Sequence, residues 1–382
     1  MQNFKKFLRK FLPRLGAVAI ALALGLGCYA VSVLFLYKPS SDNRVPFSTS
    51  PTDPGKQNPI ASDRPSETHY NFLVLGHDRA ASLTDVIMLI SYDTKAQSVT
   101  IMQIPRDTYV EIGDHFYHKI NGVYNYFVTE AQNNGSKNPD LDGLWGFASF
   151  LEENLCVKIH NCAIMSLDGF SGIVNTIGGV DMYVPQDMYY PDPEQNLYID
   201  LKQGYQHLDG DKAEQFVRYR YGYVDGDIGR GNAQKLFMAA FINKLKTSVK
   251  DPSVLPGLAS NLMACVDTDL KVEDIVYFGT KFLGFGNEHS VDMNNVKMFT
   301  MPGGAPPLYN GASYYVMNRA AVADVIDEYF NVYSFSVADS FDKDECFVGG
   351  GEYEVLHQIY SADKESYAID YYNAGEITDQ NG

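Results

Sequence analysis

Three groups of charged residues carry the chemistry open to this chain. Asp78 and Asp85 flank a short polar stretch between two apolar runs. Two carboxylates at strand ends suit Mg²⁺, a hard cation that takes one or two carboxylates and fills its other positions with water and phosphate oxygens. The same pair also reads as an Asx-type turn and a strand-start cap. Pro105-Arg106-Asp107 closes the next apolar run but one. A guanidinium presents paired donors that match two phosphate oxygens; an internal Arg–Asp ion pair is the other reading. The third group is Arg218-Tyr219-Arg220, then Asp225, Asp227, Arg230 and Gln234. Arg218 and Arg220 face the same way if that segment is extended. Arg230 and Gln234 share a helix face at i, i+4. Arg230 also falls near a helix N-terminus, where backbone N–H groups favour an anion. The alternative is a solvated cluster balancing the nearby acids. Lys119-Ile120-Asn121 offers either a further phosphate contact or an ordinary polar loop.

Charge decides how such a site can work. The 382-residue chain has a net charge of −17. Lys5, Lys6, Arg9, Lys10 and Arg14 crowd the first 14 residues without an acid, so the remainder is more negative still. Duplex binding rests on neutralising phosphates with Lys and Arg, so nucleic acid is excluded as a partner on this balance. A bulk polyanion is repelled, and any phosphate must enter a local pocket that concentrates arginine. There is neither a Walker loop nor a Gly-x-Ser-x-Gly elbow, so a P-loop NTPase and an acyl-enzyme hydrolase are unsupported.

The elements that position these groups follow from hydrophobic pattern. Phe72–Leu75, Val86–Tyr92 and Val99–Ile104 read as strands, with Gly76 to Asp85 a polar loop and Asp93 to Gln97 a tight connection. As an antiparallel meander, these strands bring the end of the first, the start of the second and the end of the third to one sheet edge. That edge then gathers Asp78, Asp85, Arg106 and Asp107. Helices are predicted over Leu144–Leu155, Phe170–Ile177, Asp211–Val217 (capped by Asp209 or Asp211), Ala233–Leu245 and Ala320–Phe330. Strands are predicted over Val180–Val184 and Val296–Met301. The mixture indicates an α/β domain with helices on both sides of a mixed sheet.

The flanks are of different composition. Leu15 to Tyr37 carries no charge, and as a helix it spans roughly 34 Å at about 1.5 Å per residue, enough for a bilayer core. The basic residues before it put residues 1–14 in the cytoplasm and everything after Tyr37 outside. A cleaved signal peptide and a lipoprotein site at Gly27-Cys28 are the rival readings. Residues 38–69 form a Pro-rich linker too poor in apolar groups to fold alone, and residues 336–382 an acidic extension. Of the outer cysteines, Cys156–Cys162 and Cys265–Cys346 is the preferred of three pairings. No His stands at zinc-ligand spacing beside them.

Taken in order, the motifs resemble the LytR–CpsA–Psr family of wall-polymer transferases. The matching stretches are Asn71 to Asp78, Thr84 to Met88, Ile104-Pro105-Arg106-Asp107-Thr108-Tyr109-Val110, Lys119-Ile120-Asn121, Ile177-Gly178-Gly179-Val180, Ile199 to Gly210, and Val217-Arg218-Tyr219-Arg220 with Gly226 to Arg230 and Gln234. The resemblance covers residues 70–335. It implies a three-layer α/β/α sandwich around a mixed, largely antiparallel sheet, with a hydrophobic tunnel for a polyprenyl chain, after an N-terminal transmembrane helix. The implied reaction moves a glycopolymer phosphate from an undecaprenyl-pyrophosphate carrier to peptidoglycan, outside the membrane of a Gram-positive bacterium. Asp78 and Asp85 are implied to hold Mg²⁺. Arg106, Arg218, Arg220 and Arg230 are implied to clamp the pyrophosphate, with Asp227 and Gln234 assisting and Arg79, Asp107 and Lys119 contributing to substrate binding. Two positions depart from the family pattern: Leu83 and Ala233 stand where arginine is usual. A hydrolase with water as acceptor, and a non-catalytic lipid-phosphate or wall-glycan binding protein, are the competing functions.

Overall fold

The structure is a computed structural model. It describes residues 37–39, 66–78, 83–112, 119–193, 197–220, 222–223, 227–250, 255–285, 289–304, 312–334, 336 and 372–373, with the backbone alone for Asp78, Asp227, Ile228, Tyr372 and Asn373. The predicted span except Tyr37, and nearly all of the linker and acidic extension, lie outside these residues. Among the described residues no helix is long and apolar enough to cross a membrane.

The meander forms as its pattern predicts. Strands β1 (His69–Asp78), β2 (Leu83–Asp93) and β3 (Ser98–Gln103) pair antiparallel in succession. They reach further into the expected polar loop than the apolar runs alone imply, because the ladder continues through His77 and Asp78 opposite Thr84 and Leu83. On either side the sheet grows by parallel pairing. Strand β4 (Asn161–Ser166) lies beside β1, and β10 (Val296–Thr300) beside β3. Short antiparallel strands β9 (Asp267–Thr268) and β13 (Tyr372–Asn373) complete a mixed, largely antiparallel sheet of order β13-β10-β3-β2-β1-β4-β9.

Both faces of this sheet are covered, as the continuous apolar runs require. Leu73, Leu75, Ile87, Leu89, Met102 and Ile104 alternate onto one face, against α1 (Val123–Asn133) and α2 (Pro139–Leu155). Phe72, Met88, Ile90, Tyr92 and Ile101 alternate onto the other. There they meet Ala239 and Ile242 of α5 (Asp227–Ser248), and Phe278 and Phe282 of α7 (Val272–Leu283). Three layers result.

A second core lies beside the sheet. Strands β5 (Val180–Val184) and β6 (Met188–Asp192) run out, and β7 (Leu197–Leu201) and β8 (Gly204–Leu208) run back. β5 pairs with β8, and β6 with β7. Their inward residues pack with α3 (Leu167–Thr176) and α4 (Gly210–Arg218) around Phe216 and Phe237. Helix α5 therefore has two apolar faces, one for each core. Asp209 is the N-cap of α4 and accepts from the Lys212 N–H at 3.0 Å. Later come α6 (Leu255–Met263), the short pair β11 (Gly303–Gly304) and β12 (Val316–Met317), and α8 (Arg319–Val325), which runs on as a π-helix to Phe330.

The expected Cys156–Cys162 disulfide does not form. Cys156, Cys162 and Cys265 stand as thiols. Cys156 ends α2 in a left-handed conformation, whereas Cys162 is buried in β4 within the main core; closeness in sequence does not set the required bridge geometry. Cys346 lies outside the described residues.

The contact between α1 and α2 depends on glycine. A Cβ at Gly143 would lie 2.8 Å from the backbone nitrogen of Val128, and one at Gly146 would lie 2.5 Å from the Phe127 ring. Alanine is ordinarily preferred to glycine within a helix by about 1 kcal/mol. Gly143→Ala should nevertheless destabilise the domain by about 1–3 kcal/mol, the cost of overpacking, seen as a lower urea midpoint. An unchanged or raised midpoint would show that the helices separate freely.

Candidate active site

The rim of the sheet is shaped by one extra residue. In the β1–β2 ladder Gly76 faces Val86, but the next pair is His77 with Thr84. Asp85 has no partner on β1 and occupies a β-bulge, a feature that re-aims a side chain. Gly76 permits the close approach there, since a Cβ would lie 3.0 Å from that of Val86. Thr84 is fully buried and its Oγ1 donates to the Asn121 carbonyl at 3.1 Å, while Asp85 is turned outward.

The β2–β3 register brings Arg106 to Asp85. Met88 faces Gln103 in the last ladder pair, so continuing the antiparallel count beyond it sets Asp85 opposite Arg106. Arg106 Nη1 donates to Asp85 Oδ1 at 2.6 Å. Arg106 Nε lies 3.7 Å from Asp107 Oδ2, and Lys119 Nζ lies 2.7 Å from Asp107 Oδ1. The result is a row of alternating charge: Asp85, Arg106, Asp107, Lys119. These side chains retain 24–45% exposure, and salt bridges so placed contribute little stability. The row is better suited to meeting a ligand than to holding the sheet together.

The backbone under the row is fixed. The Arg106 carbonyl accepts from the Asn121 N–H, and the Asp107 carbonyl from the Tyr315 N–H. Thr108 closes the turn on the Pro105 carbonyl through both its N–H and its hydroxyl. Tyr314 lies under Lys119, with its ring centroid 5.5 Å from Nζ.

A polar link joins this row to the second arginine group. Gln103, the last residue of β3, donates from Nε2 to Gln234 Oε1 at 3.0 Å, and Gln234 Nε2 in turn donates to the Val217 carbonyl at 3.3 Å. Thus α5 and the end of α4 are tied to the rim. Arg218 is the last residue of α4, bound to Glu214 at 2.9 Å. It is helical rather than extended, so the expected alternation with Arg220 fails. Instead buried Tyr219 separates half-buried Arg218 from exposed Arg220. Arg230 lies in the first turn of α5. Tyr223 stacks edge-on with Tyr219, and burial pushes its phenol up to about 12.

Some expected site residues fall outside this description. Arg79 does, as do the side chains of Asp78 and Asp227; their backbones end β1 and begin α5. Gln103, Thr84, Glu214 and Tyr314 were not singled out from sequence. Only Gln103 left a signal, a polar residue ending an apolar strand.

Magnesium fits the donor set. Asp85 is an exposed hard-oxygen donor, engaged by Arg106 through Oδ1. No cluster of three acidic, His or Cys side chains occurs among the described residues. A Mg²⁺ that takes one or two carboxylates and completes its shell with water and phosphate needs none.

Residues 40–331 match the LytR_cpsA_psr family model. The chain belongs to the LytR_cpsA_psr family. Relatives include the polyisoprenyl-teichoic acid–peptidoglycan teichoic acid transferases TagU of Oceanobacillus iheyensis (26% identical, covering 72% of this chain and 80% of that one) and TagV of Bacillus subtilis (25%, covering 72% and 68%). The regulatory protein MsrR of Staphylococcus aureus is 26% identical, covering 68% of this chain and 74% of its own. Among solved structures, B. subtilis TagV superposes with a TM-score of 0.52 at 22% identity, covering 68% of this chain and 94% of that one. The Enterococcus faecalis protein EF0465, described as a transcriptional regulator, gives 0.54 at 17%, covering 80% and 97%. At these identities the structures establish the fold. Of the two departures from the family pattern, Ala233 is buried in the second core, and Leu83 is half-buried opposite Asp78.

The bulge residue's neighbour offers a test. Thr84→Val keeps shape but removes a buried hydrogen bond, at a cost of about 1–2 kcal/mol. Thr84→Ser should retain most of the stability. Equal urea midpoints for wild type and the valine variant would contradict the role given to the Thr84–Asn121 bond.

Proposed function

We propose that this protein is a membrane-anchored phosphotransferase that moves a glycopolymer phosphate from an undecaprenyl-pyrophosphate carrier to peptidoglycan. The single observation that carries the reading is the rim itself. A carboxylate at a bulge, a backbone-fixed arginine and a lysine are aligned at one sheet edge and linked through Gln103 and Gln234 to the arginine-bearing end of α4. The names of the TagU and TagV relatives support the reaction class. The uncharged span after five basic residues supports an extracytoplasmic domain.

The chemistry needs little covalent help from the protein. Phosphoryl transfer is governed by positioning and by neutralising charge on the phosphate oxygens. Arg106 and Lys119 face a diphosphate from the rim; Arg218, Arg220 and Arg230 approach it from the α4–α5 side. A glycan hydroxyl attacks the phosphorus that carries the polymer, and the polyprenyl phosphate leaves with the electrons of the broken P–O bond. An aspartate at the rim accepts the hydroxyl proton. Asp85, with Asp78 as second carboxylate, would hold Mg²⁺, which would supply further neutralisation of the pyrophosphate charge.

The test uses the full chain in detergent with a polyprenyl-pyrophosphate glycan, a peptidoglycan acceptor and Mg²⁺. Wild type should form acceptor-dependent product. Arg106→Ala and Arg220→Ala should each lower turnover by about 10²–10³, the scale for loss of one transition-state donor. Product without acceptor would replace this reading with a hydrolase. Tight lipid binding without turnover would replace it with a binding protein.

A further inference from the structure

Four tyrosines on the β5–β8 ribbon remain outside the proposed reaction. They are the large hydrophobic side chains left exposed among the described residues: Tyr183 at 37%, Tyr189 at 67%, Tyr198 at 59% and Tyr205 at 64%. The ribbon explains why they share a face. Strands β5 and β6 form one arm, β7 and β8 the other. The pairing register changes by a single residue between the two halves, from Val184 with Gly204 to Met188 with Leu201. Gln203 holds the junction, its N–H donating to Asp187 Oδ1 and its Nε2 to the Pro185 carbonyl. Val180, Met182, Val184, Met188, Leu197, Ile199, Leu201 and Leu208 all enter one core. Alternation along each strand therefore sends the residues between them to the opposite, outer face.

On that face Tyr183 stands directly opposite Tyr205. Tyr198 faces Pro191, diagonal to Tyr189. From Tyr183 to Tyr189 the platform runs roughly 20 Å, at about 3.3 Å per residue. Exposed aromatic rings in such a row mark a contact surface. The charges beside them choose the partner. Asp187 and Asp200 are more than half exposed and Asp181 nearly so, three carboxylates against Lys202 and Lys244 as neighbouring cations. Asp181 is held below the usual carboxylate range, first by its hydrogen bond with His207. An acidic, aromatic face repels a polyphosphate chain or an anionic membrane, while carboxylates accept hydrogen bonds from hydroxyls and flat rings stack on pyranose C–H faces.

We propose that this ribbon is a docking platform for a neutral, hydroxyl-rich glycan, the acceptor strand rather than the anionic polymer. The assignment of the glycan as acceptor rests on the transferase reading; the binding surface itself does not. The ribbon leads directly through Asp209 into α4, which ends at Arg218, so a strand held on the tyrosines is joined by one helix to the arginine group.

The experiment is a calorimetric titration of the full chain in detergent with a soluble β-1,4-linked N-acetylglucosamine oligomer. Saturable binding is expected, weakened at least about tenfold in Tyr189→Ala/Tyr198→Ala and preserved in Tyr189→Phe/Tyr198→Phe, which keeps the rings. These side chains lie on the surface, and thermal unfolding checks that the variants are folded. Arg106→Ala should bind the oligomer as wild type does, which separates this surface from the reaction: binding that survives in a chain with no transferase activity upholds the platform and sinks only the acceptor role. No saturable binding by wild type, or equal binding by the alanine variant, would overturn the proposal. So would tyrosine-dependent binding to anionic phospholipid vesicles or poly(glycerol phosphate) in place of the oligomer.

Discussion

The site depends on a mismatch in one β-ladder. An unbulged β1–β2 pair would keep strict alternation and give Asp85 a partner on β1. One extra residue breaks the count between Val86 and Thr84. Thr84 then goes fully into the core, and Asp85 turns out to meet Arg106 at 2.6 Å. A carboxylate and a guanidinium held this way are arranged before any ligand arrives, which is where electrostatic catalysis gains most. Their mutual attraction adds little to stability at this exposure. The arrangement is a matter of aim.

The rest of the fold serves that aim at two ranges. Close by, the turn after β3 is pinned by hydrogen bonds from Asn121 and Tyr315 to consecutive carbonyls. Further away, α5 is wedged between the back of the sheet and the second core, with apolar residues facing each. That double packing fixes the height of Gln234 against Gln103, and so the distance between the two arginine groups. A helix with one apolar face could slide; one gripped from both sides cannot without opening a core.

Much of this was legible in the sequence. The meander and its shared edge follow from three β-rich runs with a tight connection, and antiparallel order alone puts Asp85 near Arg106. Strand β5 and the Asp209 cap were readable from local pattern. The bulge was not, because Leu83-Thr84-Asp85 reads as loop until a partner strand supplies the register. Nor was the Gln103–Gln234 bond, which joins residues far apart in the chain. Arg218 was misplaced for a different reason: burial of Phe216 and the Glu214 partner one turn earlier carry α4 on to Arg218. The Cys156–Cys162 pairing failed because spacing says nothing of where two side chains point. Arg79 and the side chain of Asp78 lie outside the described residues.

A double-mutant cycle on Asp85 and Arg106 measures the central interaction most directly. Acceptor-dependent turnover would be followed in wild type, Asp85→Ala, Arg106→Ala and the double variant. If the pair acts as one unit at the rim, the double variant should be barely slower than the worse single variant, a coupling of at least about 1.5 kcal/mol. Strictly multiplicative losses would mean that the two residues work apart, and that the bulge does not build the site.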